Sequence, residues 1–154
     1  FFVGNHSGVR SVPIMFNVPI IEANCLLMPA IPPSDKVTFL PHTNRDLFIP
    51  KHMFSQEKDR VITLQEYLDL GLQCFAYGYQ YDDLGLLPME NSAGEILAVT
   101  MEMNERLEGQ FVYTDEDEAL QTKFRSLIHP KSVYWDHLPR IGTQVLRDQI
   151  NFLD

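Results

Sequence analysis

Short apolar runs alternate with turn-forming stretches through the first third of the chain. Residues 1–3 predict a buried strand, residues 4–8 are rich in turn formers and predict a loop, and the apolar spacing over 9–17 predicts a helix. The runs 18–23 and 46–51 predict two more strands, the first of them in a parallel sheet. Strands and helices that alternate in this way predict an α/β fold, with a short parallel sheet flanked by helices.

The second half of the chain carries sharper helix signals. Residues 63–66 and 92–95 fit the capping-box pattern, in which a Ser or Thr is followed three residues later by Glu. They predict two helices, the second over 93–107. Four consecutive acids favour the start of another helix at position 115, and a last helix is predicted over 139–153.

The helix predicted over 93–107 is amphipathic. Ile96, Val99, Met103 and Leu107 recur at the spacing of one helix face, and Glu102 falls on another face. This pattern predicts a helix that packs one side against the core.

Two stretches are less regular. Residues 26–43 contain many prolines and predict an extended surface loop. Tyr77, Tyr79 and Tyr81 alternate with other residues, which fits either a half-buried strand or a platform on which a sugar stacks. We favour a packing role.

Composition and charge exclude some classes of function. The chain is 45% hydrophobic and 21% charged, which is typical of a globular domain and not of a disordered one. Its formal net charge of -9 disfavours nucleic-acid binding, since such affinity comes mostly from cations that neutralise phosphates. A small anion such as a diphosphate is still acceptable, because a helix N-terminus can hold it without net positive charge.

Cysteines and acids predict no metal or cofactor. Cys25 and Cys74 are too few and too isolated for a zinc site or a disulfide framework, so we expect reduced core residues. The acidic runs 82–83 and 115–118 lack the spacing and glycine of a calcium loop. No apolar run approaches the roughly 20 residues that span a bilayer. We expect a cytoplasmic protein, with a membrane-peripheral position left open for the full-length parent.

The loop between the first strand and the first helix is the best candidate for a binding site. Such loops bind ligands in open α/β sheets. Gly8 would allow close approach of a phosphate, Ser7 could cap the helix or donate its hydroxyl, and His6 and Arg10 would neutralise charge. The alternative, in which Gly4 and Gly8 only form a tight turn, stays open.

A family resemblance gives this loop a function. The run FFVGNHSGVRSVPIMFNVPII is similar to the strand, Ser-Gly loop, helix, Pro and strand unit of the C-terminal domain in two-domain GT-B glycosyltransferases, and in sugar-nucleotide epimerases of that architecture. NHSGVRSVPIMFNVPII, NRDLFIPKHMFSQEKDRVITLQEYL and LPMENSAGEILAVTMEMNERL resemble, in this order, the C-terminal half of a bacterial family of polysaccharide glycosyltransferases. The resemblance implies a partial Rossmann-like fold and a nucleotide-sugar donor.

The resemblance also implies roles for particular residues. The Ser-Gly turn of that architecture contacts the donor diphosphate, so the implied donor-binding residues are Asn5, His6, Ser7, Gly8, Arg10 and Ser11. Many relatives carry an acid that binds the ribose hydroxyls, but the corresponding places here hold Ser11 and Val12. This departure leaves ribose recognition unassigned and counts against an epimerase.

Four more residues are candidates for the cleft. Lys51 would pair with a phosphate, and Asp46 or Glu22 would face the sugar, with Arg45 beside them. For each of these residues the alternative of a solvated surface charge stays open. We assign no catalytic base, because GT-B enzymes often take it from the N-terminal domain.

The leading hypothesis is therefore a glycosyltransferase fragment that is inactive alone. We expect a single domain over 1–154, which lacks the N-terminal portion of its parent, since the chain has no initiating Met and opens on an apolar run. The expected partners are a nucleotide-sugar donor, a glycan or lipid-linked acceptor and the missing N-terminal domain, with a homo-oligomer left open. A sugar-nucleotide epimerase and a non-catalytic interaction domain are the alternatives.

Overall fold

Two β-sheets and several helices make up the part of the chain that the computed structural model describes, which is residues 1–5, 7–26, 44–72, 78–127, 139–148 and 153. The elements in chain order are β1 (Phe2–Gly4), a turn of 3-10 helix (Gly8–Arg10), α1 (Ser11–Met15), β2 (Ile20–Cys25), β3 (Leu47–Pro50), β4 (His52–Ser55), β5 (Arg60–Val61), α2 (Leu64–Asp69), α3 (Gly78–Asp82), β6 (Leu86–Met89), α4 (Ala93–Leu107), α5 (Asp115–Leu127), β7 (Arg140–Ile141) and α6 (Thr143–Asp148). The first sheet has the order β1-β2-β3-β7 and is parallel, and the second has the order β5-β4-β6 and is antiparallel.

The predicted α/β fold is confirmed, with helices on both faces of the parallel sheet. Leu47 and Ile49 of β3 belong to a buried cluster with α4. Phe48 points to the other face and packs on Phe124 of α5, with ring centroids 5.9 Å apart. This alternation follows from the period of two along a strand, and it explains why β3 is apolar throughout.

The first strand lies where the sequence predicts it, but it is not buried. Phe1 is 45% exposed and Val3 is 38% exposed. These side chains are exposed because β1 is the outermost strand of the described sheet and pairs with β2 alone. An apolar run of three residues cannot distinguish an edge strand from a central one.

The C-terminal prediction is wrong in its first part. Residues 140–141 form β7, which pairs in parallel with Leu47 and Phe48, and the helix begins at Thr143 and is described as far as Asp148. A two-residue strand leaves no periodic signal in the sequence. Its assignment depends on the distant strand β3, against which Ile141 is fully buried.

Both capping boxes are confirmed. The Thr63 hydroxyl accepts from the Glu66 amide at 3.2 Å, and the Glu66 carboxylate accepts from the Thr63 amide at 2.9 Å. Ser92 and Glu95 repeat this exchange at the start of α4, at 3.2 and 2.7 Å. Local signals of this kind need no information from the rest of the chain.

The tyrosine segment is a helix and not a strand. Tyr81 lies in α3 and is buried in the core, and Tyr79 is 61% exposed. The predicted packing role therefore holds for Tyr81, while Tyr77 lies outside the described residues. Most of the predicted loop 26–43 and the predicted core residue Cys74 also lie outside them, whereas Cys25 is buried as a reduced thiol.

Glu102 shows what a helix pattern cannot predict. Its side chain lies in the interior, only 4% exposed, because the turn before α6 covers that side of α4. Its carboxylate accepts from the Thr143 amide at 2.7 Å, from the Thr143 hydroxyl at 3.0 Å and from the Tyr113 hydroxyl at 3.0 Å. Burial raises the pKa of Glu102, and these hydrogen bonds only partly oppose the shift.

Replacing Glu102 with Gln changes how stability depends on pH. The folded state holds the proton of Glu102 more tightly than the unfolded state does, since its folded pKa is raised. The contribution of Glu102 to stability is therefore largest below its unfolded pKa of about 4.3 and declines as pH rises through the folded pKa. We expect the wild type to lose stability relative to Glu102→Gln as pH rises above about 4.3, measured by urea unfolding over a pH series. A constant difference over this range would contradict the assignment.

Gly142 is held too close to its neighbours to accept a side chain. A Cβ atom at Gly142 would lie 2.9 Å from Ile49 Cγ2 and 3.2 Å from Val99 Cγ2. The backbone cannot move away easily, because the Gly142 amide donates to the Phe48 carbonyl at 2.9 Å.

We expect Gly142→Ala to destabilise the fold by about 1–3 kcal/mol, since an added methyl group overpacks the core. Gly94→Ala is the matched control, because Gly94 is exposed in α4 with only ordinary contacts around it. Alanine there should be neutral or stabilising, by up to about 1 kcal/mol. Urea unfolding of both variants decides the matter, and an equal effect of the two would refute the close packing at Gly142.

Candidate functional site

The parallel sheet presents one edge at which its strands end, which we call the carboxyl edge, and an opposite amino edge at which they begin. Ligands of open α/β sheets bind outside the carboxyl ends of the strands. The loop after β1, the end of β2 and the residues after β3 all lie at this edge. Neighbouring strands are about 4.8 Å apart, so the loop after β1 and the residues after β3 are roughly 10 Å apart across the sheet.

The loop after β1 is open to solvent. Asn5, Ser7 and Gly8 are exposed, and a Cβ atom on Gly8 would meet nothing within 4 Å. Ser7 has the extended backbone of an N-cap residue, but its side chain makes no capping hydrogen bond. In this 3-10 turn the first backbone hydrogen bond runs from the Arg10 amide to the Ser7 carbonyl, at 3.1 Å. The amides of Gly8 and Val9 precede that donor, so the turn itself gives them no acceptor. The loop therefore offers backbone donors and a hydroxyl in an open position.

Arg10 and Glu22 were predicted as separate site residues, and the structure brings them together. The Arg10 guanidinium lies 2.5 Å from the Glu22 carboxylate, and both side chains are almost fully buried. A phosphate in the loop would therefore have to compete with Glu22 for the charge of Arg10. Of the other candidates in this segment, Ser11 is half-buried at the start of α1, and His6 lies outside the described residues.

Arg45 and Asp46 lie at the amino edge, which corrects the prediction that grouped them with Lys51. The buried Asp46 carboxylate accepts from the Ile20 amide at 2.9 Å, at the start of β2. Arg45 donates to the backbone and side-chain oxygens of Asn17, both at 2.8 Å. The length of β3 separates these residues from Lys51, so they tie strand starts together and cannot reach a ligand at the carboxyl edge.

Lys51 lies at the carboxyl edge, directly after β3. Its amide donates to the Cys25 carbonyl at 2.9 Å, which ties it to the end of β2. Its ammonium group lies 2.5 Å from the Glu90 carboxylate, and Glu90 is largely exposed. Lys51 is therefore in the predicted place, but it is engaged in an ion pair that the sequence did not indicate.

Two asparagines fasten this edge to the start of α4. The Asn24 amide donates to Asn91 Oδ1 at 2.6 Å, and the Asn91 amide donates to Asn24 Oδ1 at 2.5 Å. The Nδ2 atom of the buried Asn91 also donates to the Pro50 carbonyl at 2.8 Å. Asn24 adopts a left-handed backbone with φ of 54°, at an irregularity in the pairing of β2 with β3. We call this pair the asparagine clamp, since it joins the ends of both strands to α4.

The clamp orients α4 against the sheet. Asn91 holds the helix start at the carboxyl edge, and Arg106 near the helix end donates to the carbonyls of Asn44 and Arg45 at the amino edge. The helix thus runs antiparallel to the strands.

The start of α4 already holds an anion from the protein itself. The Glu95 carboxylate accepts from the Ser92 amide at 2.7 Å and lies 2.7 Å from His52 Nε2. Burial raises the pKa of Glu95, but the hydrogen bonds from Ser92 and His52 outweigh it and lower the pKa overall. An external anion therefore finds this helix start occupied, whereas the first turn of the 3-10 helix after β1 contains no acid.

Sequence reasoning missed Asn24, Glu90 and Asn91 as residues of this edge. The available signals were weak: one Asn at the end of a buried strand, and an acid and an Asn directly before a capping box. Neither signal indicates that residues so far apart in the chain meet each other.

The four parallel strands lie in chain order across the sheet. The crevice that binds ligands in doubly wound folds forms where the strand order reverses. Among the described strands there is no such reversal, so these strands do not build that crevice by themselves.

Comparisons with family models, curated proteins and solved structures found no match to the chain. In the described part of the chain, no helix is both long and apolar enough to cross a membrane. The same residues contain no group of three His, Cys, Asp or Glu side chains placed to hold a metal ion.

The asparagine clamp predicts unequal effects for two similar substitutions. Asn91→Asp removes the amide that donates to Pro50 and places a carboxylate against that carbonyl, so we expect a loss of about 1–3 kcal/mol. Asn24 contributes to the clamp through its side-chain oxygen Oδ1, which accepts from the Asn91 amide, and Asn24→Asp keeps this acceptor. Asp also tolerates the left-handed backbone at this position. We expect it to stay within about 0.5 kcal/mol of the wild type in urea unfolding near neutral pH. Equal losses would mean that the hydrogen-bond pattern is wrong.

Proposed function

We propose that this chain is the donor-binding part of a GT-B-type glycosyltransferase, which transfers a sugar from a nucleotide-diphosphate sugar to a glycan or lipid-linked acceptor in surface polysaccharide synthesis. The observation that carries the proposal is the open Ser7-Gly8 turn at the carboxyl end of a parallel strand, directly before a helical segment. The resemblance of the surrounding sequence to that family supports the same proposal. The catalytic base and the acceptor site would come from an N-terminal domain.

In this proposal the loop stabilises the diphosphate leaving group. The amides of Gly8 and Val9 and the Ser7 hydroxyl would donate to its oxygens as negative charge develops, which needs no metal ion. Gly8 allows this approach because nothing fills the space beside its Cα atom. Lys51, roughly 10 Å away across the sheet, would interact with a more distant part of the donor only if it exchanged Glu90 for the ligand.

A specific observation also favours the second candidate, a non-catalytic interaction domain. Large apolar side chains are exposed beside the same loop: Val9 at 64%, Val12 at 55%, Met15 at 77% and Phe16 at 76%. Exposed apolar patches of this kind are typical of protein interfaces. Such a surface would suit a second domain of a transferase as well as a separate protein partner. A test of nucleotide binding is therefore needed to distinguish the transferase from the interaction domain.

We predict that uridine or guanosine diphosphate binds the full-length protein and that Gly8→Asp weakens this binding at least about tenfold. The new carboxylate would fill the open space beside the loop and repel a phosphate. Isothermal titration calorimetry measures the affinity.

Gly78→Asp is the matched control, since Gly78 is also exposed with open space around its Cα atom. It adds the same charge on α3, which packs against β6 of the antiparallel sheet, and should leave the affinity unchanged. Full affinity in Gly8→Asp would exclude the loop as the site. No nucleotide affinity in the wild type, together with no turnover of a panel of sugar donors, would favour the interaction domain.

A further inference from the structure

A second concave surface lies outside the carboxyl edge. It is a pocket of about 360 Å³ between the hairpin of β4 and β5, helix α2 and the segment that enters β6. This volume falls in the range of small-molecule sites, roughly 300–1,000 Å³. It shares no residue with the loop after β1 or with the asparagine clamp.

The floor and walls of the pocket are apolar. Ile62 and Leu86 line it and are only 3% and 2% exposed. Leu70 and Leu84 also line it, yet they are 46% and 44% exposed. Two leucines that face solvent at the mouth of a pocket with a buried apolar floor offer contact area to the apolar part of a ligand.

One wall is fixed by a charged cluster in which a single carboxylate pairs with two cations. The Glu66 carboxylate lies 2.5 Å from Lys58 Nζ and 2.7 Å from Arg60 Nη2, and it also caps α2 through Thr63. The hydrogen bonds from Arg60, Lys58 and Thr63 hold the pKa of Glu66 well below its usual range. Glu66 is therefore ionised and has its cations beside it, and the cluster pins α2 to β5.

The remaining acids of the pocket give it a negative charge. Glu57 in the hairpin turn and Asp69 at the end of α2 both line the pocket and are exposed. Within the described residues, neither forms an ion pair with a lysine or arginine. From the part of the chain that the structure describes, Asp69 accepts a hydrogen bond from the neutral amide of Gln65, at 2.7 Å. A cation in the pocket would thus meet two carboxylates that have no opposite charge of their own.

We propose that this pocket binds a small organic cation, a primary ammonium group carried on an apolar body. The apolar part would lie on Ile62 and Leu86 between the two exposed leucines, and the ammonium group would lie toward Glu57 and Asp69. The walls are preformed, so binding requires little ordering of the protein. This site is independent of the proposed transferase function.

The test uses 2-phenylethylamine and its neutral analogue 2-phenylethanol, titrated into the chain labelled with ¹⁵N. We expect the amine to shift the amide resonances of Ile62, Leu70 and Leu84 with a dissociation constant of about 1 mM or below. The alcohol fills the same volume without the charge, so it should bind at least about tenfold more weakly. Absence of shifts at these residues, or equal affinity of the two compounds, would overturn the proposal.

A pair of double variants separates the charge of the pocket from the charge of the whole protein. Glu57→Gln with Asp69→Asn should bring the affinity for the amine down to that for the alcohol. Asp115→Asn with Glu116→Gln removes the same charge from exposed positions of α5, outside the pocket, and should leave the affinity for the amine unchanged. The dispersion of the amide spectrum shows whether each variant is folded. Unchanged affinity in the pocket variant, or an equal loss in both, would contradict the site.

Discussion

The structure depends on the burial of β3 on both of its faces. A strand in the middle of a parallel sheet has no solvent-facing side, so each face needs its own helix. Leu47 and Ile49 require α4, and Phe48 requires α5. Since α4 enters at the carboxyl edge through the asparagine clamp, the packing of β3 also decides which polar residues meet there. The make-up of the candidate edge is therefore a consequence of how the core packs.

Most charged side chains near this edge are paired with other groups of the protein. Arg10 neutralises Glu22, Lys51 pairs with Glu90, and the Glu95 carboxylate accepts from the Ser92 amide at the start of α4. Taking ions out of water is costly unless they are paired, so partners of opposite charge are expected wherever charged side chains are buried. Among the described residues of this edge, the groups that remain open to an external anion are the backbone amides of the loop after β1. A Cβ atom at Gly8 in this loop would meet nothing within 4 Å.

Local signals were sufficient for much of the fold. The capping boxes at Thr63 and Ser92, and the strands β1 to β3, follow from short windows of sequence. Features that depend on distant segments were not predictable in this way. The strand β7 exists because β3 offers it a partner, and the burial of Glu102 depends on the turn before α6. The candidate loop could be located, but the partners of Arg10 and Lys51 could not, because each lies on a different element.

The acidity of the whole chain does not count against the proposed anion site at the loop after β1, because the relevant charge is local. The net charge of -9 is a sum over the whole chain, and charges more than about 8 Å away in solvent are largely screened at physiological ionic strength. The buried pair of Arg10 and Glu22 adds no net charge beside the loop. The unpaired acids Glu57 and Asp69 belong instead to the pocket at the antiparallel hairpin. The proposed anion and cation sites can therefore coexist, because the fold separates the exposed amides from carboxylates that pair with no cation among the described residues.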